Sequence, residues 1–361
     1  MNTQNNDSVY VIAEAGVNHN GDRERAFALV DIAAEAGADA VKFQTFDARK
    51  LASVSAPKAS YQKQTTDQAE SQLDMLKKLE LPREWHHDLM AHAGKLGIDF
   101  LSTAFDSESL DFLANLQIPL FKIPSGELTN GPLLWRFART GRPLVLSTGM
   151  ATLSEVEQGL AIIAHAKEHE QEPANMDEVW RYWSCAEARQ HLVGSVTLLH
   201  CTSQYPTPLE EVNLRAMDTL KHAFGLPVGY SDHTEGLLVP VAAVARGATV
   251  IEKHFTTDRS LPGPDHKASL EPLELKEMVA RIRGIEMILG DGKKSPLPSE
   301  WDTRQAARQQ VIAARAISNG QPFARDDLST ARCGSGLPAT LLWEKVGRPA
   351  GRAYQPGEII E

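Results

Sequence analysis

Cysteine is scarce in this chain, and the little there is does not cluster. Cys185, Cys201 and Cys333 are the three in 361 residues, too far apart for a CxxC metal site or a disulfide framework, so a reducing compartment is the simplest setting. No apolar run approaches the ~18 to 20 residues that span a bilayer, and the N-terminal MNTQNNDS is polar where a secretory leader would be basic and then apolar. Secretion and membrane insertion are not expected; a cytoplasmic location is. An excess of positive charge is missing too. A formal net charge of −10 and a pI of about 5.7 leave no basic stripe to displace counterions from a nucleic acid. Low-complexity stretches are absent, and 42 % hydrophobic with 23 % charged residues is the composition of an ordinary globular protein with a sizeable core.

What is present is a repeated pattern. A short β-rich apolar run is followed by a Gly, Ser, Thr or Asp cluster and then by an amphipathic stretch of helical spacing. The strand candidates are Tyr10 to Glu14, Ala40 to Gln44, Asp99 to Ser102, Leu120 to Ile123, Leu144 to Ser147, Thr197 to His200, Val228 to Tyr230 and Thr249 to His254. Helix candidates lie between them, among them Arg23 to Ala36, Glu84 to Lys95, Glu155 to Lys167 and Leu237 to Arg246. Such a series predicts an α/β fold, the (β/α)8 TIM barrel, whose strands are buried on both faces and read as continuous apolar runs. A doubly wound open sheet is the alternative. Residues 1–290 are expected to form the barrel, 291–305 a linker, with the Gly/Pro/Lys-rich GDGKKSPLPSE (Gly290 to Glu300) marking the boundary, and 306–361 a small β-like module. The long connection Glu168 to Leu192 precedes a strand, on the face where barrels carry stability, so packing is its expected role and its two tryptophans need burial.

Polar residues concentrate at the strand ends, where a barrel carries its chemistry. Lys42 and Lys122 interrupt apolar strands, and a buried lysine needs an anionic partner. A ligand anion is the expected one, with ion pairs to Glu127 or Glu252 as the alternative. Ser125 and Ser147, each beside glycine-containing turns, offer hydroxyls and open amides suited to phosphate. His233 in SDHT and His254 in EKHFT end consecutive strands, and neutral imidazoles there can converge on one divalent ion beside Glu14, Glu127 and Asp265. Their N and O donors suit Mn, Co, Fe or Mg. His19 serves either to support a ligand or to pack the strand end.

At these residues the chain resembles the sialic acid synthase family, which makes nonulosonic acids such as N-acetylneuraminate and legionaminate. The matching segments, in order, are AEAGVNHNGD, AVKFQTF, ESQLDMLKKLEL, FKIPSGE, LSTGMAT, LLHCTSQYPTP, VGYSDHT, IEKHFT and LPGPDHKASLEP. The tail around ARCGSG is similar to the family's antifreeze-like (SAF) domain, which in family members crosses to the other protomer of a homodimer. The resemblance implies metal binding by His233 and His254, usually of Mn2+, with Mg2+ or Co2+ able to substitute. It implies phosphoenolpyruvate binding by Lys42, Thr103, Lys122, Ser125 and Ser147. It further implies that Gln44, Tyr205, Asp265 and Arg332 hold an open-chain N-acetylated amino sugar, with Arg332 coming from the neighbouring chain, and that Glu14 and Glu127 stand near the reacting carbons.

The implied reaction joins C3 of phosphoenolpyruvate to the sugar aldehyde, adds water at C2 and expels phosphate by C–O cleavage. N-acetylmannosamine, giving N-acetylneuraminate, is the first acceptor expected, and 2,4-diacetamido-2,4,6-trideoxymannose, giving diacetyllegionaminate, the second. A non-catalytic carbohydrate-binding protein on the same fold is a remote alternative, disfavoured because Glu14, Lys42, Lys122, His233 and His254 are all retained. Three departures from the family pattern are Cys333 and Ala104, where proline is common, and Ser203, where asparagine or another polar residue is common. Cys333 is expected to loosen the loop that aims Arg332, and Ser203 to alter sugar selectivity.

Overall fold

The computed structural model describes residues 8–361 apart from 54, 55, 59–61, 63–65, 68 and 69. The chain divides into two compact units, Met1–Gly290 and Asp291–Glu361. The first contains β1 (Tyr10–Gly16), β2 (Ala40–Thr45), β3 (Asp99–Ala104), β4 (Phe121–Ile123), β5 (Leu144–Ser147), β6 (Val196–His200), β7 (Val228–Asp232) and β8 (Val250–His254). They are ordered β3-β2-β1-β8-β7-β6-β5-β4, and the first strand pairs in parallel with the last, Glu14 opposite His254. With β3 lying against β4, the sheet is a nearly closed barrel. A doubly wound sheet is ruled out, because its strand order reverses at a switch point and never returns the last strand to the first.

The two-residue period of a strand explains why the polar groups meet. Ile12, Ala40, Leu101, Leu120, Val145, Leu199 and Val250 form one small buried cluster inside the ring. The seventh strand has only Gly229 at that level, because an added Cβ would strike the Val250 carbonyl and the Leu199 side chain. Two residues further along, the inward position becomes polar, and Glu14, Lys42, Thr103, Lys122, Ser147, Ser231 and Glu252 all line one cavity. Alternate residues such as Val11, Val41, Phe43, Phe121, Leu146 and Ile251 face outward into the main core with the helices, where truncating one leucine costs about 2–5 kcal/mol.

Side-chain caps start the helices soon after the strands. The Asp22 carboxylate accepts the Arg25 amide at the head of helix Arg23–Glu35, and Thr152 with Glu155 forms a reciprocal box at the head of Leu153–Glu168. The long connection after that helix folds into helices Met176–Trp183 and Ala186–Gln190. Trp183 packs into the main core, its indole N–H donates to Glu157 at 2.9 Å, and Arg189 covers its ring at 4.2 Å. Trp180 corrects the expectation that both tryptophans are buried: it is 38 % exposed against 6 % for Trp183, since the helix turns only one of its faces to the core.

The second unit pairs β9 (Gln309–Ala313) with β10 (Leu328–Arg332) antiparallel. Its own core contains Val311, Ile317, Phe323, Leu328, Leu342, Tyr354 and Ile360. Helix Trp301–Ala307 occupies part of the stretch expected as linker. The loop after Arg332 is tied down: the Cys333 amide, which a proline would lack, donates to Gln310 Oε1 at 2.8 Å. The loosening expected from that departure is therefore offset by a bond that only a non-proline residue can make.

Candidate active site

The cavity at the C-terminal ends of the strands has a volume of about 570 Å³ and brings together Glu14, Lys42, Gln44, Thr103, Lys122, Ser125, Ser147, Tyr205, His233, His254 and Asp265. Glu127 is not among its lining residues. It ends the short turn Ser125–Glu127 and accepts from Asn130 Nδ2 at 2.7 Å, so its carboxylate serves the start of the next helix. Arg332 belongs to the other unit, exposed at the end of β10 and opposite Gln309. His19 also lies outside the cavity: it is buried, accepts the Gly21 amide at 3.0 Å and packs near Phe43.

The two lysines have protein partners, so the alternative expectation of an ion pair with Glu252 is met where a ligand anion was expected first. Lys42 forms an ion pair with Glu14, lies 3.4 Å from Glu252 and donates to Thr103 Oγ1 at 3.0 Å. Lys122 pairs with Glu252 at 3.0 Å, which also accepts from Ser231 at 2.7 Å. The physical reason is register: Glu252 stands two residues before His254 on the same inward face, between both lysines. Burial opposes ionisation of Glu252, but Lys122 and then Lys42 outweigh it and hold its carboxyl well below the usual range. For Glu14, burial dominates and raises the carboxyl, with Lys42 pulling the other way and Glu252 adding to the rise. Of the two carboxylates, Glu14 is therefore the more readily protonated.

Beside the lysines is a cradle of small groups. Ser125 Oγ accepts the Gly149 amide at 2.9 Å and lies 3.2 Å from Cys201 Sγ. Ser147 Oγ is buried without a hydrogen-bond partner among the described residues. A Cβ at Gly149 would run into the side chains of Ser203, Ser125 and Cys201, so glycine is required for this close approach.

The histidines meet at the other side. Their ring centroids are 5.7 Å apart, and Tyr205 lies 4.1 Å from the His233 ring. Burial lowers His233 to about 4, partly opposed by its bond to the Thr202 carbonyl, and burial followed by His233 itself lowers His254 well below the usual value. Both imidazoles are therefore neutral near pH 7, the form that ligates metal. His233 Nδ1 donates to the Thr202 carbonyl at 2.7 Å, leaving Nε2 with its lone pair free. His254 Nδ1 is buried without a partner among the described residues. No three His, Cys, Asp or Glu side chains among the described residues enclose an ion by themselves. Two neutral imidazoles with further positions left to water and substrate oxygens fit an open site for a divalent ion rather than a closed structural one.

Asp265 is carried on the loop after β8. Ser269 Oγ donates to the Asp265 carbonyl at 2.7 Å and in turn accepts from Asn18 Nδ2 at 3.0 Å, while His266 lies 3.2 Å from Asn20 Oδ1. The asparagines of the VNHNG segment thus brace this loop. Burial raises the Asp265 carboxyl to about 6. Its ionisation opposes folding as pH rises from the ordinary carboxylate range through that value. Asp265→Asn is therefore expected to stabilise the metal-free protein by up to about 3 kcal/mol at about pH 8, and not at about pH 4, in thermal unfolding at the two pH values.

Sequence reasoning left out Glu252 as a site residue, together with Ser231 and Cys201, which also line the cavity. Their spacing along the strands was the available signal. It also missed an apolar wall formed by Leu51, Ala52, Met75, Leu76, Leu79 and Phe105, because these residues come from loops and helices whose packing no local pattern reveals.

Residues 29–294 match the family model described as NeuB family. The chain is 46 % identical over 350 residues to the N,N'-diacetyllegionaminic acid synthase of Campylobacter jejuni, covering 97 % of this chain and 98 % of the relative. It is also 46 % identical to the synthase of that name from Legionella pneumophila, covering 94 % and 89 % respectively. Among solved structures, an N-acetylneuraminic acid synthetase from Leptospira borgpetersenii superposes with a TM-score of 0.68 at 33 % identity, covering 84 % of this chain and 94 % of that one.

Proposed function

The chain belongs to the NeuB family, and on that premise we propose that it condenses phosphoenolpyruvate with an open-chain N-acetylated mannose derivative and water, giving a nonulosonic acid and phosphate. The observation that carries this reading is the pairing, in one cavity, of a two-lysine anion cradle with two neutral strand-end histidines.

In the proposed reaction, C3 of phosphoenolpyruvate bonds to the sugar's C1 and the aldehyde oxygen takes up a proton. Water adds to the cationic C2 and loses a proton, leaving a C2 hydroxyl. That hydroxyl then gives up its proton to form the ketone as the bond from C2 to the phosphate oxygen breaks and inorganic phosphate leaves with the electron pair. Lys42, Lys122, Thr103, Ser125 and Ser147 hold the phosphate and carboxylate, with Glu14 taking the proton that frees Lys42. Asp265, raised to about 6 by burial, is placed in this reading to pass a proton to the aldehyde oxygen near neutral pH. A divalent ion held by His233 and His254, Mn2+ by preference, would supply Lewis-acid polarisation of that aldehyde. Gln44 and Tyr205 line the sugar's end of the cavity. The setting we propose is cytoplasmic; no helix among the described residues is long and apolar enough to cross a membrane.

Of the two acceptors, 2,4-diacetamido-2,4,6-trideoxymannose becomes the favoured one, reversing the order expected from sequence. Two relatives named for the legionaminic product support this. So do the apolar side chains of Leu51, Met75, Leu76, Leu79 and Phe105 in the cavity lining, which suit a C6 methyl and a second acetamido methyl. Phosphate release with Mn2+ and each sugar is expected to give a kcat/KM higher for the diacetamido sugar by roughly tenfold or more; a preference for N-acetylmannosamine would make the enzyme a neuraminate synthase.

Arg332 and the second unit are assigned to a homodimer in which this unit, proposed to be the antiparallel SAF-type module, serves the partner's cavity and its arginine binds the acetamido carbonyl. Arg332→Ala and Lys122→Met should each be inactive alone. Mixed in the unfolded state and refolded together, they should regain up to about a quarter of wild-type turnover, because random pairing makes roughly half the dimers mixed and each of those has one intact site. No regain on mixing would mean that Arg332 does not act across subunits.

A further inference from the structure

We propose that the buried Asp232–Lys253 pair, on the side of β7 and β8 facing away from the cavity, is a positioning clamp that sets the separation of His233 and His254 and hence the affinity for the divalent ion. The inference rests on the reading of those histidines as metal ligands.

Lys253 Nζ lies 2.6 Å from Asp232 Oδ2, and both side chains are fully buried. They stand opposite one another in the strand register, one residue beyond Ser231 and Glu252. Because side chains alternate, Ser231, Glu252 and the histidines line the cavity while Asp232 and Lys253 do not. Taking two opposite charges out of water generally stabilises less than an apolar pair of the same volume would, so stability alone does not account for them.

What the pair does hold is the chain around His233. β7 ends at Asp232, so His233 lies one residue past the ladder, whereas His254 is the last residue of β8. Asp232 accepts the Thr234 amide at 3.0 Å and the Thr234 hydroxyl at 3.1 Å. Lys253 donates to the Thr234 carbonyl. The residues on both sides of His233 are thereby fastened to the residue immediately before His254. The Thr207 amide, bonded to the His233 carbonyl at 2.8 Å, and the Thr202 carbonyl on Nδ1 at 2.7 Å complete the hold from the β6 side. Groups that orient first ligands in this way typically control metal affinity by ~10- to 100-fold.

The test is Mn2+ titration of the chelator-stripped full-length protein by calorimetry, paired with the melting temperature of the metal-free form. Lys253→Met leaves Asp232 buried and unpaired, and should lower both the melting temperature and the Mn2+ affinity. The double variant Asp232→Asn, Lys253→Met removes the unpaired charge and should recover the melting temperature, yet bind Mn2+ about tenfold or more weakly because the Thr234 carbonyl has lost its donor. Thr234→Val keeps both charges and both backbone bonds but removes the hydroxyl donor to Asp232 Oδ2, so it should lower the melting temperature modestly and bind Mn2+ several-fold less well. Wild-type Mn2+ affinity in Thr234→Val, or in a double variant with a wild-type melting temperature, would overturn the clamp. A wild-type protein that binds no Mn2+ would instead overturn the metal reading on which the clamp depends.

Discussion

Lys42→Met is expected to cut kcat/KM for phosphoenolpyruvate by roughly 100- to 1,000-fold, the usual cost of truncating one partner of a buried hydrogen-bonded charge pair. In the native cavity, Lys42 and Lys122 face Glu14 and Glu252. Removing Lys42 leaves two carboxylates around a single ammonium, and the anion cradle loses half its positive charge. Stability should fall too, by up to about 3–5 kcal/mol where Glu14 is forced to ionise. Burial already raises the Glu14 carboxyl, and Lys42 is the main group pulling it down, so the variant's carboxyl should rise further. The stability loss is therefore expected to be small in acid, where Glu14 is protonated folded and unfolded alike, and to grow as pH rises through the neutral range. Urea unfolding across pH, alongside initial rates of phosphate release, checks both effects. A uniform stability loss at all pH values would contradict the assigned electrostatics.

His254→Ala should behave oppositely: a large loss of turnover with little loss of fold. Burial keeps both imidazoles neutral, so deleting one ring breaks no ion pair, and the buried Nδ1 of His254 has no hydrogen-bond partner to lose among the described residues. Losing Lewis-acid stabilisation worth several kcal/mol corresponds to roughly a thousandfold in kcat. Mn2+ titration should fail in His254→Ala while the melting temperature of the metal-free form stays within about 2 °C of wild type. Retained Mn2+ stimulation in both His254→Ala and His233→Ala would place the ion elsewhere.

The barrel is legible from sequence because most strands repeat one rule at their inward positions, an apolar residue and then a polar one two places on. Ile12 and Glu14, Ala40 and Lys42, and Val250 and Glu252 are all instances of it. The same rule points inward at Glu252 and Ser231, which were legible in principle but were overshadowed by the adjacent histidines. Glu127 shows where local pattern runs out. It directly follows Ser125 and Gly126 in an attractive motif, yet the strand has ended by then, the periodicity no longer applies, and Asn130 takes the carboxylate. The lysines' partners depend on which strands become neighbours around the barrel, a tertiary fact that no single segment carries. The apolar wall is of the same kind: Leu51, Met75 and Phe105 are far apart in sequence and meet only above the folded strand ends.

The most direct measurement is turnover of phosphoenolpyruvate labelled at its C–O–P bridging oxygen, with Mn2+ and the diacetamido sugar, and with a chelated control. The label is expected to leave in the phosphate, with one nonulosonic acid formed per phosphate released, and with turnover abolished by chelation and restored by Mn2+. Label retained in the organic product, or phosphate released without any sugar adduct, would contradict the proposed condensation.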